Sequence, residues 1–201
     1  MKISPDVAKY IQLQRTWSKK ITDPEKLAAL YENTVGQDYT SIHQFLPVDC
    51  SDVLDIGCGV GGIDILLFNH YNKSCNIHLL DKDGEGTELY YGYRKEASHY
   101  NSLDISKSFL VSNEVGKEKI FTYDANQNQY PDCKCQVILS LISCGFHYPA
   151  STYLEKIKNI KDGIIILDIR KHTDQVHLLK DNFSEVEVII DSKKYERVLI
   201  K

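Results

Sequence analysis

Apolar positions change their period along this chain, and the change divides it in two. Over residues 1–50 they recur three and four apart, as on one face of a helix. Thr22-Asp23-Pro24-Glu25 joins an N-cap candidate to a proline suited to a first helical turn, and Leu27, Leu30 and Tyr31 follow on one face. An earlier helix is expected over 7–17 and a third over 39–45. From residue 52 onward, short apolar runs alternate with amphipathic segments. Strands are predicted at 52–56, 75–80, 119–123, 136–141 and 164–169, and helices at 63–69, 105–114, 151–160 and 174–182. The apolar runs 186–190 and 197–200 flank the polar Asp191-Ser192-Lys193-Lys194, which suggests a terminal hairpin.

Such alternation implies a parallel sheet with helices on both faces, and the hairpin implies one antiparallel strand at its edge. Ligands of open α/β sheets bind at the carboxyl ends of the strands, near the point where strand order reverses. The run Val53-Leu54-Asp55-Ile56-Gly57-Cys58-Gly59-Val60-Gly61-Gly62 ends the first strand at that place. Its glycines can take positive φ and admit a ligand close to the backbone, and the helix that follows offers free N–H groups to an anion. Dinucleotide-binding loops share part of this pattern. The spacing here is GxGxGG, however, and Asp55 stands two residues before the first glycine. A carboxylate there can order loop amides and face a ligand ammonium group, whereas it would repel a pyrophosphate. The plain alternative is a tight turn with no ligand.

Asp55 to Gly62, DIGCGVGG, resembles the first motif of class I S-adenosylmethionine-dependent methyltransferases. The resemblance runs from about residue 52 to the C-terminus. It implies a three-layer α/β/α Rossmann-like fold: a mostly parallel seven-stranded sheet with one antiparallel C-terminal edge strand, plus N-terminal helices. The whole chain would then be one domain, with 1–50 a helical extension or lid and 51–201 the cofactor-binding core. The implied cofactor is S-adenosylmethionine, leaving as S-adenosylhomocysteine. Gly57, Cys58, Gly59 and Gly61 would form its loop. Asp81, with Lys82 beside it, would accept hydrogen bonds from the ribose hydroxyls. Asp124 and Ala125 would meet the adenine, and Ser140 would lie near the methionine part.

The acceptor is normally met beyond the fourth strand, where this chain has Ser143-Cys144-Gly145-Phe146-His147-Tyr148-Pro149. The acidic or amide residue, two prolines and aromatic that mark many amino methyltransferases are missing, which argues against a nucleic-acid base. The segment 140–154, with its Phe-His-Tyr-Pro, is similar to some sugar O-methyltransferases. His147 is the best candidate base, since histidine titrates near neutrality; a structural loop histidine is the alternative. Cys144 reads as a small buried residue. Phe146, Tyr148 and the stretch Tyr90-Tyr91-Gly92-Tyr93-Arg94-Lys95, with His99-Tyr100 beyond, are candidate substrate contacts. Tyr91 and Tyr93 could close over a cation, and Arg94 could pair with an anionic group. The alternative for this stretch is an amphipathic helix packed on the domain.

Composition narrows the picture. The net charge of −4 gives no footprint for nucleic acid or an anionic membrane. No apolar run approaches a membrane span, and the N-terminus does not read as a secretory signal. Six cysteines in 201 residues are too sparse for a disulfide scaffold, so reduced thiols in a cytoplasm are expected. Cys133-Lys134-Cys135 has no second pair beside it, which argues against zinc. No metal is expected at the catalytic site, where Asp168 is the lone acid near the fifth strand's end. The leading expectation is methyl transfer to a small-molecule hydroxyl. A protein or nucleic-acid methyltransferase, an inactive cofactor-binding partner subunit and a nicotinamide-dependent oxidoreductase stay open beside it.

Overall fold

A computed structural model describes residues 1–86, 90–96, 98, 100–158, 160 and 162–201. Helices begin where the sequence supplies caps. Ser4 Oγ accepts from the Val7 amide at 3.3 Å to start α1 (Pro5–Gln14). The Asp23 carboxylate accepts from Glu25 and Lys26 at 2.9 and 3.2 Å to start α2 (Pro24–Ile42). α2 absorbs most of the separate helix expected over 39–45, and only His43–Phe45 tightens into a 3-10 turn. Gly36 costs a helix interior about 1 kcal/mol, whereas Leu27, Tyr31, Val35 and Ile42 keep one buried face running past it.

β1 (Asp52–Ile56) leads through the glycine loop into α3 (Gly62–His70) and β2 (Asn76–Asp81). The tyrosine-rich stretch is no helix in its described residues. Its ends pair as the two-residue strands β3 (Gly84–Glu85) and β4 (Tyr100–Asn101), and His99 lies outside the described residues. α4 (Leu103–Ser112), β5 (Ile120–Asp124) and β6 (Val137–Ser140) follow. The helix expected over 151–160 shrinks to a 3-10 turn and the single turn α5 (Leu154–Ile157). β7 (Ile164–Arg170), α6 (Gln175–Lys180), β8 (Val186–Asp191) and β9 (Tyr195–Ile200) complete the order.

The seven-stranded sheet runs β5-β2-β1-β6-β7-β9-β8. Its first five strands are parallel, and β9 is antiparallel to both β7 and β8. The antiparallel strand thus sits one place in from the edge, where a plain hairpin order would have put it outermost. Burial explains the inversion: Val198, Leu199 and Ile200 of β9 are at most 1% exposed and need a neighbour on each side, whereas β8 carries the exposed Glu187 and Val188. Helices α1 to α4 cover one face through a core that includes Ile11, Tyr31, Phe68 and Phe109. α5 and α6 cover the other, around Leu54, Ile138, Leu167 and Leu179.

One side chain ties the end of the sheet to the N-terminal helices. Arg197 of β9, 1% exposed, donates from Nε and Nη2 to both oxygens of Asp168 at 2.7 and 2.9 Å. The same guanidinium reaches α2, donating to Ser41 Oγ at 2.6 Å and Asp38 Oδ1 at 2.9 Å. Asp168 is therefore committed to a buried ion pair.

Candidate active site

Strand order reverses between β1 and β6, and a cavity of about 210 Å³ opens at their carboxyl ends. Gly57 and Gly59 line it with φ of +74° and +54°. A side chain on Gly57 would collide with Ser143, and one on Gly59 would come within 2.6 Å of Gln14 Oε1. Gly61 does not line the cavity. A Cβ there would lie 2.6 Å from Leu110 of α4, so this glycine lets α3 pack closely.

Asp55 lines the cavity and is 3% exposed. Burial first, and then the adjoining Asp64, hold its carboxyl well above the usual range. Burial pushes Asp64 itself up to about 7. Asp64 is fully buried, and neither of its oxygens has a hydrogen-bond partner. A protonated Asp55 is the donor at hand. The pair therefore holds a proton near neutrality, and pH dependence follows. A carboxyl whose folded pKa is raised contributes stability below its unfolded pKa and loses it as pH rises through the folded one. Asp64→Asn should be more stable than the parent at pH 8 by about 1–3 kcal/mol, with the gap closing as pH falls from 7 toward 4. At about 2–4 °C per kcal/mol for a chain this size, calorimetric melting resolves it. Equal melting temperatures at pH 8 would show that Asp64 bears no buried charge.

Asp81, at the end of β2, also lines the cavity. Its Oδ2 accepts from the Gly59 amide at 2.9 Å and from Asn101 Nδ2 at 3.0 Å, and its Oδ1 accepts from the Lys82 amide at 2.8 Å. Burial lifts it to about 6 against those bonds. A carboxylate offers about four acceptor positions, so one remains for a ligand hydroxyl. The loop is held further by Asn101 Nδ2 and Ser106 Oγ on the Gly59 carbonyl, at 2.8 and 2.7 Å, and by Gln14 Oε1 on the Val60 amide at 3.2 Å.

Of the other residues singled out in the sequence, Cys58, Lys82, Ala125, His147 and Tyr148 line the cavity, and Asp124 and Ser140 do not. Asp124 Oδ1 caps the turn after β5, accepting from the Asn126 amide at 2.8 Å and the Asp83 amide at 3.1 Å. The Ser140 hydroxyl is buried; it donates to the Ile56 carbonyl at 2.6 Å and accepts from the Cys144 amide at 2.8 Å. Tyr91, Tyr93, Arg94 and Phe146 also stand outside the lining. Tyr91 donates to the Leu13 carbonyl at 2.7 Å, tying its segment to α1. The Arg94 guanidinium lies 3.6 Å from the Tyr90 ring centroid, and that of Arg170 lies 4.0 Å from the Phe146 centroid. Tyr93 is partly buried, and burial raises its hydroxyl. Lys95, Glu96 and Tyr100 line the cavity from this side instead.

The N-terminal helices form a wall of the cavity and share the core of the sheet. Gln14, Arg15, Tyr31 and Asp38 come from them and belong to no motif. The half-buried Arg15 guanidinium pairs with no acid among the described residues. The one sign in the sequence is two polar residues, Gln14 and Arg15, closing an apolar helical face.

His147 sits in the turn beyond β6, its amide bonded to the Ser143 carbonyl at 2.8 Å. Its Nδ1 lies 3.1 Å from the Gly92 carbonyl. A carbonyl only accepts, so Nδ1 carries the proton and Nε2 keeps the ring's lone pair. Burial, and then Arg170 and Arg15, hold the imidazole below the usual histidine range. Beside the cavity, Ile142 adopts a φ of +57°, uncommon for a β-branched residue, and this turns the chain into Ser143.

No family model matches this sequence, and no curated protein sequence matches it. Among solved structures the chain is similar to the pyocyanin biosynthetic protein PhzM, at 15% identity and a TM-score of 0.60 over 95% of this chain and 60% of that one. It is similar to a precorrin-6y C5,15-methyltransferase of Geobacter metallireducens, at 14% identity and a TM-score of 0.54 over 81% and 85%. A SAM-dependent O-methyltransferase of Thermotoga maritima aligns at 13% identity and a TM-score of 0.55 over 82% and 64%. The chain thus spans less than two thirds of the first and third of these. The likeness establishes the Rossmann-like α/β/α fold that these structures share.

Proposed function

We propose that this chain is an S-adenosylmethionine-dependent methyltransferase acting on a hydroxyl of a small molecule. The observation that carries the reading is the loop of positive-φ glycines held between Asp55 and Asp81 at the mouth of a cavity that also contains His147. The residues suit the cofactor. Gly57 and Gly59 can admit it to the backbone, Asp81 keeps one acceptor position for a ribose hydroxyl, Ala125 of the cavity lining can meet an adenine edge, and a carboxyl oxygen of Asp55 can accept from an ammonium group. When bound, the cofactor supplies an electrophilic methyl group on a sulfonium. The protein's share is to position the acceptor and take its proton, and Nε2 of a neutral His147 suits that second task. A cavity walled by two N-terminal helices, in a chain of net charge −4, favours a small acceptor over nucleic acid.

Calorimetric titration with S-adenosylmethionine, S-adenosylhomocysteine and NADH tests the class. Micromolar binding of the two sulfur ligands and none of NADH is expected; the reverse pattern would sink the reading. For His147 the test is a pH profile once an acceptor is in hand. Because its pKa is depressed, activity should hold at pH 7 and fall only as pH drops below the usual histidine range. His147→Ala should lower turnover about 10²–10⁴-fold with cofactor affinity unchanged. Full turnover in that variant would make the histidine structural.

A further inference from the structure

We propose that His78, Cys133 and Cys135 form a binding site for a thiophilic divalent cation of the zinc type, apart from the cavity and independent of the methyltransferase reading. Cys133-Lys134-Cys135 lacks a sequence neighbour to complete it, but the fold supplies one 55 residues away. The Sγ atoms of the two cysteines lie 3.2 Å apart, and Cys133 Sγ is 3.6 Å from His78 Nε2 and 3.9 Å from Nδ1. One ligand atom from each residue falls within 4.8 Å of the others. Zinc bonds of about 2.3 Å to sulfur and 2.0 Å to nitrogen set tetrahedral ligand atoms roughly 3.5–3.8 Å apart. The thiols therefore need to open by about half an ångström, which the exposed Cys133 permits.

The surroundings of His78 suit a ligand. The ring is buried on β2, stacked 5.1 Å from Phe121 and 5.8 Å from Tyr123. Its Nε2 is 2.9 Å from Asp52 Oδ1, and its Nδ1 is 3.0 Å from the Tyr123 hydroxyl. With Nε2–H donating to the Asp52 carboxylate, Nδ1 is the ligand atom; it accepts from the Tyr123 hydroxyl, so the partly buried Tyr123 side chain must swing aside to admit the ion. A carboxylate that orients a histidine in this way recurs in metal sites. Asp52 is itself held, accepting from Asn76 Nδ2 at 2.9 Å and Ser51 Oγ at 2.6 Å. Two thiolates and an imidazole are a donor set for zinc, with the fourth position left to water on the exposed side of Cys133. On binding, each thiol gives its proton to solvent, so two protons leave per ion.

The site also has a structural task. Between β5 and β6 the chain forms only the 3-10 turn Ala125–Gln127 and a loop, so this part of the sheet face lacks a covering α-helix. An ion held by His78 and both cysteines would staple that loop to β2. None of the three residues lines the cavity.

The experiment is titration of the reduced, metal-free protein with Co²⁺ in the absence of oxygen, followed by Zn²⁺. Expected is saturation at one Co²⁺ per chain, with the near-ultraviolet absorption of thiolate bound to cobalt, and its stoichiometric loss when Zn²⁺ is added. Cys133→Ser, safe for folding because the residue is exposed, should weaken binding at least tenfold, and His78→Gln likewise. Absence of thiolate bands in the parent, identical bands in Cys133→Ser, or a stable Cys133–Cys135 disulfide after mild reduction would each overturn the proposal.

Discussion

Asp81→Ala is expected to weaken S-adenosylmethionine binding about a hundredfold or more. Two losses combine. A charged acceptor for a ribose hydroxyl disappears, worth about 1.5–3 kcal/mol. The Gly59 amide and Asn101 also lose the oxygen they share, at 2.9 and 3.0 Å, so the loop is less well fixed before the ligand arrives. A total near 3 kcal/mol corresponds to about two decades in dissociation constant. Asp81→Asn separates the two: the amide oxygen can still take the Gly59 N–H and Asn101 Nδ2, so the loop should stay ordered while the charged contact and the bond from the Lys82 amide are lost. Calorimetric titration of both variants measures this. Unchanged affinity in Asp81→Ala would remove the residue from the ribose role.

Arg197→Met should cost about 3–5 kcal/mol of folding stability, because it strands the carboxylate of Asp168, which is 0% exposed, without its counter-ion. Denaturant midpoints are the measurement. Pairing it with Asp168→Leu should recover part of the loss, since the stranded buried carboxylate is gone while Asp38 still lacks its guanidinium. A single-variant cost below 1 kcal/mol would show that solvent reaches the pair.

The parts of this fold legible in the sequence are those that local chemistry fixes. β1 runs from Asp52 to Ile56, as the abrupt change from Val-Leu-Asp-Ile to glycine foretells, and Asp23 caps α2 before a proline; α1, expected over 7–17, starts earlier, at Pro5 behind Ser4. What local chemistry leaves open is decided by contacts distant in sequence. Gly61 looks like Gly57 and Gly59 in the motif and shares their positive φ, but it faces Leu110 of α4 and not the cavity. Ser140 stands at a strand end like a ligand contact, but its hydroxyl is consumed by the neighbouring strand and turn. The tyrosines at 91 and 93 suggested a surface over the ligand, while Tyr91 turns to the Leu13 carbonyl. Gln14 and Asn101 belong to no motif, because what brings them to the loop is tertiary packing.

The Arg197 junction also bears on biosynthesis. Its partners Ser41 and Asp38 precede it by 156 and 159 residues, so the helix that walls the cavity is made long before the guanidinium that fastens it. At synthesis rates of about 5–20 residues per second, that interval lasts roughly 8–30 s. Throughout it α2 can make its apolar contacts with the sheet but not the ion pair with β9. The cavity's lining residues, Gln14 to Tyr153, are therefore all synthesised before the guanidinium that joins α2 to Asp168.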